Sequence, residues 1–575
     1  MRTRLCLLPA AFAVALLAAA PAEAQWVADP AVNLTVADRP AGQAQPKLVP
    51  TADGGFYLSW FGSVADGFDV SLQRLDSDGV AQWAANGVTV ADRSYSSTED
   101  YGLALDSEGN ALLAFRFPDS GGHTQAVAQR ITPAGTLLWP APGVFVSADV
   151  DAAASPRIIG TNGGSSVVAW TSYDSGDIVL QKIDANGAPQ WGAGVTLALP
   201  SGTFFIADLQ ADADGNVIVS GSAQLSFNSR RLWAQKLAAA DGAPMWGANP
   251  VEVFNGVGGA MQLGYFPPFV PDGSGGGVFA WYHVSGVSDA SVRVQHVLAN
   301  GTQVFPQNGA EAATGGDRRR YAPSAAYDAA TGSTYVVWPE EHQVGGGPRT
   351  YGVSAQRLDA TGARQWGDLG QELVALGDQQ ASQVSALLMD GDGVFAWSLG
   401  SSPSPMRLEA ARLDPDGDDV WPGGVVALKT ATTANSRMRG ALSADGFAAY
   451  VWGDGAGSGD GNLIKAQNVN ADGTLGATGT ATEGGPTPAA LTLLPARPNP
   501  SAGTTTLTYA LPEAAHVRVE VLDALGRRVA VLVDEAQGAG THTAVWDAGA
   551  LPAGLYVAHL RAGAASARVR MAVAR

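Results

Sequence analysis

Apolar residues along most of this chain fall into short runs, each closed by a turn carrying Gly beside Asp or Asn. In the first such stretch, Lys47-Leu48-Val49 precedes a D-G-G turn and the run Phe56-Tyr57-Leu58-Ser59-Trp60. Asp69 to Gln73 then meets the turn Asp76-Ser77-Asp78-Gly79, and a last run extends from Gln82 through Val88 and Val90. Runs of this length with Asp-Gly or Asn-Gly between them predict strands joined by tight hairpins, because Gly accepts positive φ without steric cost. The stretch therefore predicts four antiparallel strands.

The stretch recurs. Q-R-L-D-S-D-G-V-A-Q-W ends at Trp83, and related phrases end at Trp139, Trp191, Trp246, Phe305, Trp366 and Trp421. An eighth, Q-N-V-N-A-D-G-T-L-G from Gln467, has no aromatic. Anchored on Gln73, Gln129, Gln181, Gln235, Gln295, Gln356, Ala411 and Gln467, the spacing is 52 to 61 residues. Eight units of four strands predict an eight-bladed β-propeller; a parallel solenoid would have shorter rungs. The missing aromatic has a counterpart at the other end. Gln25-Trp26 and Leu34-Thr35-Val36 match Gln82-Trp83 and Val88-Thr89-Val90. Residues 26–38 are expected to form the outer strand of blade eight and close the ring.

Thirteen of the fifteen tryptophans occupy two recurring positions. Trp26, Trp83, Trp139, Trp191, Trp246, Trp366 and Trp421, completed by Phe305, follow the glycine turn. Trp60, Trp170, Trp281, Trp338, Trp397 and Trp452 end the second strand. Such regularity predicts packing between blades in preference to an aromatic ligand pocket. The phrase L-A-A-A-D-G-A-P-M-W resembles the tryptophan-docking motif of quinoprotein dehydrogenase propellers, which also have eight blades. Most copies are one residue shorter, and that family's vicinal cysteines are absent, so the resemblance implies architecture and no quinone cofactor. Sialidase-type Asp-boxes do not match, because Asp78-Gly79 are adjacent and three residues precede Trp83.

Composition changes at both ends. Arg2 and Arg4, an apolar run from Leu7 to Ala20 and Ala22-Glu23-Ala24 give residues 1–24 the pattern of a cleaved secretory signal. The apolar run is too short for a spanning helix, and no later segment is long and apolar enough for one. Cys6 is the only cysteine and leaves with the signal, which excludes disulfides, thiolate zinc sites and cysteine nucleophiles. The repeat body is expected over 25–475, followed by a polar linker, 476–490, and a distinct module, 491–575. From Leu491 onward eight arginines stand against six carboxylates, so the total of −19 leaves the body near −22. A body so acidic repels nucleic acid.

The module carries, in order, Pro498-Asn499-Pro500, Tyr509-Ala510-Leu511-Pro512, Asp523-Ala524-Leu525-Gly526-Arg527-Arg528-Val529, Trp546-Asp547 and Leu551-Pro552-Ala553-Gly554-Leu555-Tyr556. Val517-Arg518-Val519-Glu520-Val521 alternates as a half-buried strand does. These residues closely resemble the type A sorting domain of the type IX secretion system of Bacteroidetes and relatives. The resemblance implies an immunoglobulin-like sandwich, passage through the outer membrane by the type IX machinery, and release or attachment at the cell surface. Arg568 to Arg575 fits a final strand.

Chemistry is sparsely marked. No G-x-S-x-G turn, H-E-x-x-H helix or Walker phosphate loop is present. Asp212-Ala213-Asp214-Gly215-Asn216 and Asp390-Gly391-Asp392-Gly393 lack a full calcium ligand set and are expected as hairpin turns. No metal and no cofactor is therefore expected. The loops after the second strands hold Asp119, His123, His283, Glu340, Glu341 and His342, and Arg318, Arg319, Arg320 and Tyr321 lie in a loop leading into an innermost strand. These ten residues are the candidates for a recognition surface facing an extracellular ligand. The alternative is a hydrolase or lyase acting on polysaccharide or peptide, with acid and base drawn from Glu340, Glu341, His342 and Asp119.

Overall fold

A computed structural model describes residues 25–477 and 491–574, apart from short stretches such as 119–120, 148–151, 286–288, 401–405 and 456–461. The expected signal and most of the linker lie outside the described residues. The chain divides into a body, Glu23–Thr478, and a carboxy-terminal unit from Gly479 to Arg575. Among the described residues the regular structure is strand, with one short 3-10 turn at Asn162–Gly164, and no helix is long and apolar enough to cross a membrane.

The body is an eight-bladed β-propeller. Seven blades are sequential antiparallel meanders, six of them four-stranded as in blade one, Gln43–Pro50, Phe56–Val64, Gly67–Leu75 and Val88–Ala91, and blade six with its innermost strand in two pieces. The eighth takes three strands from Asn435–Leu442, Ala448–Asp454 and Leu463–Val469, and its outer strand, Leu34–Ala37, from the opposite end of the chain. Leu34 pairs with Ala466 and Thr35 with Lys465, which is the closure expected from the sequence. One strand boundary differs. The fourth strand of blade one begins at Val88, because Gln82 closes the hairpin turn on Arg74 and Asp76 while Trp83 turns away to the neighbouring blade at Gly135.

The repeated phrase is the joint between blades. Each aromatic of the first class lies against the turn glycine of the next copy, from Trp26 on Gly79 and Trp83 on Gly135 to Trp421 on Gly473. These glycines have φ between 73° and 92°, and a Cβ there would crowd the ring or, at Gly187, the side chain of Val144. Both conditions demand Gly. The indole Nε1 also donates to a backbone carbonyl of that turn: Trp26 to Ser77 at 2.9 Å, Trp139 to Ala185 at 3.2 Å, Trp421 to Ala471 at 3.0 Å. The copy glutamine clamps the approach, with Gln129 Oε1 accepting from the Trp139 N–H and its Nε2 donating to the Trp139 carbonyl. Trp83 is only half-buried; the other members of the series are buried.

Trp191 departs from the pattern. Its Nε1 is buried without a hydrogen-bond partner among the described residues. The turn it faces, Ala238-Ala239-Ala240-Asp241-Gly242, is one residue longer than in most copies, and the carbonyl of Ala239 accepts from Lys182 Nζ instead. The second class of tryptophans fills the space between sheets: Trp60, Trp281, Trp338, Trp397 and Trp452 are fully buried.

The carboxy-terminal unit is a two-sheet sandwich. Thr492–Leu493, Thr504–Leu511 and Gly540–Asp547 form one sheet; Arg528–Gln537, Ala515–Asp523, Gly554–Ala562 and Ala565–Val573 form the other. Leu507, Tyr509, Val519, Trp546 and Leu560 make its core. The body extends slightly past its expected end, since Gly476 exchanges hydrogen bonds with the Asn468 side chain.

Candidate functional site

Blade six differs from its neighbours. Its innermost strand is broken into Arg318–Arg320 and Ser324–Asp328, and both pieces pair with a ten-residue second strand, Ser333–His342. Arg318, Arg319 and Arg320 stand opposite His342, Glu341 and Glu340. Six residues expected in loops are thus strand residues. Arg319 faces Glu341 and Arg320 faces Glu340, and opposite charges so placed across an antiparallel pair favour the ladder.

Glu340 anchors the cluster. Its carboxylate is buried, pairs with Arg318 and accepts from Ser354 Oγ at 3.0 Å and Trp338 Nε1 at 3.4 Å. Arg320 Nε lies 3.7 Å from the other carboxylate oxygen, and Arg320 donates to the Gly315 carbonyl at 2.8 Å. Burial works against the charge of Arg318, but Glu340 and Glu372 outweigh it and hold its pKa above the ordinary value. Burial prevails at Arg320, whose pKa is lowered. Arg319 donates to Glu341 at 2.6 Å and its guanidinium lies 5.2 Å from the Tyr321 ring centre. Burial, reinforced by Glu341, pushes the Tyr321 hydroxyl pKa well up. His342 Nδ1 meets the Asp317 carbonyl at 3.2 Å.

Arg318, Arg320 and His342 border a cavity of about 660 Å³ between blades five and six, lined also by Asp289, Glu311 and Asp317 among others; Arg319, Tyr321, Glu340 and Glu341 belong to the cluster but do not line the cavity. Sequence reading missed Asp289, Glu311 and Asp317, and also Arg349 and Glu372, which pair with Glu341 and Arg318. No local motif marks them, because they are scattered: Asp289 and Glu311 come from the third and outer strands of blade five, Asp317 and Arg349 from turns entering strands of blade six, and Glu372 from its outer strand.

The remaining candidates are not brought to this cavity. Asp119 lies outside the described residues. His123 is exposed at the start of Thr124–Ile131 in blade two. His283 is buried in blade five with its ring 5.2 Å from that of Phe254. Burial, aided by the charge of Arg293, lowers its pKa to about 4, so it packs as a neutral ring. Among the described residues no group of three His, Cys, Asp or Glu is arranged to hold a metal ion. The aspartate turns are hydrogen-bonded hairpins: Asp212 Oδ1 accepts from the N–H groups of Asp214 and Asn216, and Asp392 pairs with Arg412.

What the blade-six cluster offers is a preformed, polar concavity with alternating fixed charges. The fold and this cavity place the chain in the class of closed β-propellers with a rim pocket.

No known family's sequence profile matches the chain, and no curated protein matches it in sequence. Solved structures that resemble it include a polysaccharide lyase of family PL25, an ulvan lyase, at 10% identity and TM-score 0.41, covering 79% of this chain and 96% of that one. An α-L-arabinofuranosidase from Fusarium graminearum aligns at 10% identity and TM-score 0.31, over 65% of this chain and 92% of its own. An endo-arabinase from Bacteroides thetaiotaomicron aligns at 11% and 0.28, over 64% and 93%.

Proposed function

We propose that this is an exported propeller that binds an extracellular ligand at the rim of blades five and six without turning it over. One observation carries the reading. The Glu340 carboxylate is engaged by Arg318, Ser354 and Trp338, so its oxygens already hold donors where a general acid or base would need a free one. A charge cluster fixed by its own partners is preorganised for recognition, which reduces the ordering cost of binding. The ordered motifs of 491–575 support export by the type IX machinery, with residues 1–24 as a cleaved signal and the cell surface or medium as the destination.

The test is a glycan and peptide array probed with mature full-length protein, beside turnover assays on polysaccharide, ester and peptide substrates. The reading expects capture weakened by Arg319→Ala, Tyr321→Ala or His342→Ala, and no turnover. Turnover abolished specifically by Glu341→Gln would establish the hydrolase or lyase in its place.

A further inference from the structure

A second concavity, of about 470 Å³, lies on the propeller axis and shares no lining residue with the rim cavity. It is built by a device repeated in five innermost strands. Gln45, Ser155, Ala322, Gln383 and Arg437 all have positive φ, between 31° and 56°. In blades one, three, seven and eight the pairing register shifts around this residue, and in blade six the strand breaks there. Two residues further on stand Lys47, Arg157, Ser324, Ser385 and Arg439, and all five line the axial cavity. A bulge bends a strand and re-aims the next side chains. Non-glycine residues at positive φ cost about 1 kcal/mol or more each, and such strain concentrates at ligand sites.

The lining has a definite chemistry. Lys47, Arg157 and Arg439 supply three positive charges and Asp208 one negative charge, inside a chain whose net charge is −19. Arg157 is aimed by donating to the carbonyls of Ala207 at 3.2 Å and Ser155 at 3.1 Å. Lys47 Nζ lies 5.0 Å from the Tyr101 ring centre. Asp208 accepts from the Phe269 N–H and from Gln210 Nε2, both at 3.2 Å. Blade five adds the rings of Tyr265 and Phe266. A concave wall with a net positive charge focuses its field on an incoming anion, while the aromatic rings offer an apolar surface for the C–H face of a sugar.

We propose that this axial cavity is a separate binding site for an acidic saccharide, its carboxylates meeting Lys47, Arg157 and Arg439 and a sugar ring lying on Tyr265 or Phe266. The site is independent of the rim cavity. Mature full-length protein is titrated calorimetrically with trigalacturonate and an oligoglucuronate, and in parallel with neutral galactotriose and inorganic phosphate. At least one acidic oligosaccharide binds; Arg157→Gln and Arg439→Gln each weaken its affinity about tenfold, and added salt weakens it in the parent. Arg319→Gln, at the rim, leaves it unchanged, so failure here is distinct from failure of the rim reading. Arg157→Lys, which keeps the charge, retains most of the affinity and shows that the cavity is folded. Equal affinity for galactotriose, equal affinity for phosphate alone, no binding of either acidic oligosaccharide, or full affinity in the Arg157→Gln/Arg439→Gln double variant would each overturn the proposal.

Discussion

Asn33 and Gln467 are 434 residues apart in sequence, yet Asn33 Nδ2 donates to Gln467 Oε1 at 2.9 Å in a buried site. Gln467 Nε2 in turn donates to the Val27 carbonyl at 2.6 Å. Within a single copy the same glutamine bonds the chain beside its own tryptophan, as Gln129 does at Trp139. Blade eight thus completes with two chain ends the joint that other blades make within one segment.

Closure makes both ends a condition of the whole ring. Removing residues 25–38 is expected to lower the denaturation midpoint of the entire body in one transition. Trp26 is buried at the joint, so Trp26→Ala alone should cost about 3–5 kcal/mol. Urea titration followed by fluorescence and circular dichroism checks this; a midpoint unchanged by the deletion would contradict an annular body.

The docking tryptophans are not equivalent. Trp139 donates to Ala185, and Trp191 has no acceptor among the described residues. Trp139→Phe should therefore destabilise more than Trp191→Phe, by about 1 kcal/mol, the net worth of one hydrogen bond. Both rings are buried, so the apolar loss is similar at the two sites and their difference isolates the indole N–H.

Glu340→Gln is expected to act on stability. It leaves Arg318 and Arg320 beside a buried neutral amide, and breaking a buried pair in this way costs about 3–5 kcal/mol. Glu341→Gln, nearer the surface, should cost less. If Glu340→Gln unfolds at the parent's midpoint, the buried cluster is not the structural anchor of blade six.

His283 gives the body a pH dependence. Its folded pKa, about 4, lies below the unfolded value of about 6.5, so the unfolded chain takes up a proton first as pH falls. This contribution to stability is complete above pH 6.5 and is lost between there and pH 4, by up to about 1.4 kcal/mol per pH unit. His283→Phe, which keeps a ring beside Phe254, should flatten that part of the profile. Denaturant midpoints measured across pH 4–8 for parent and variant decide it.

Export is tested in the native host. Deletion of 491–575 should leave a folded body held in the periplasm, because the module is a separate compact unit. Fractionation with the truncated chain appearing at the surface or in the medium at parental levels would remove the sorting proposal.

Repetition makes the architecture legible in the sequence. Trp83, Gly79 and Gln73 recur because each copy solves the same packing problem against an identical neighbour, so period and spacing alone gave eight blades. The lone Trp26 and the aromatic missing after Gly473 gave the closure. The sites are built from what does not repeat. Arg320 meets Glu340 only because a ladder register pairs them, and Lys47, Arg157 and Arg439 converge only because a closed ring points blades one, three and eight at one axis. Register and ring closure are long-range properties of the folded chain, set by all eight blades together, and no local stretch of sequence encodes them.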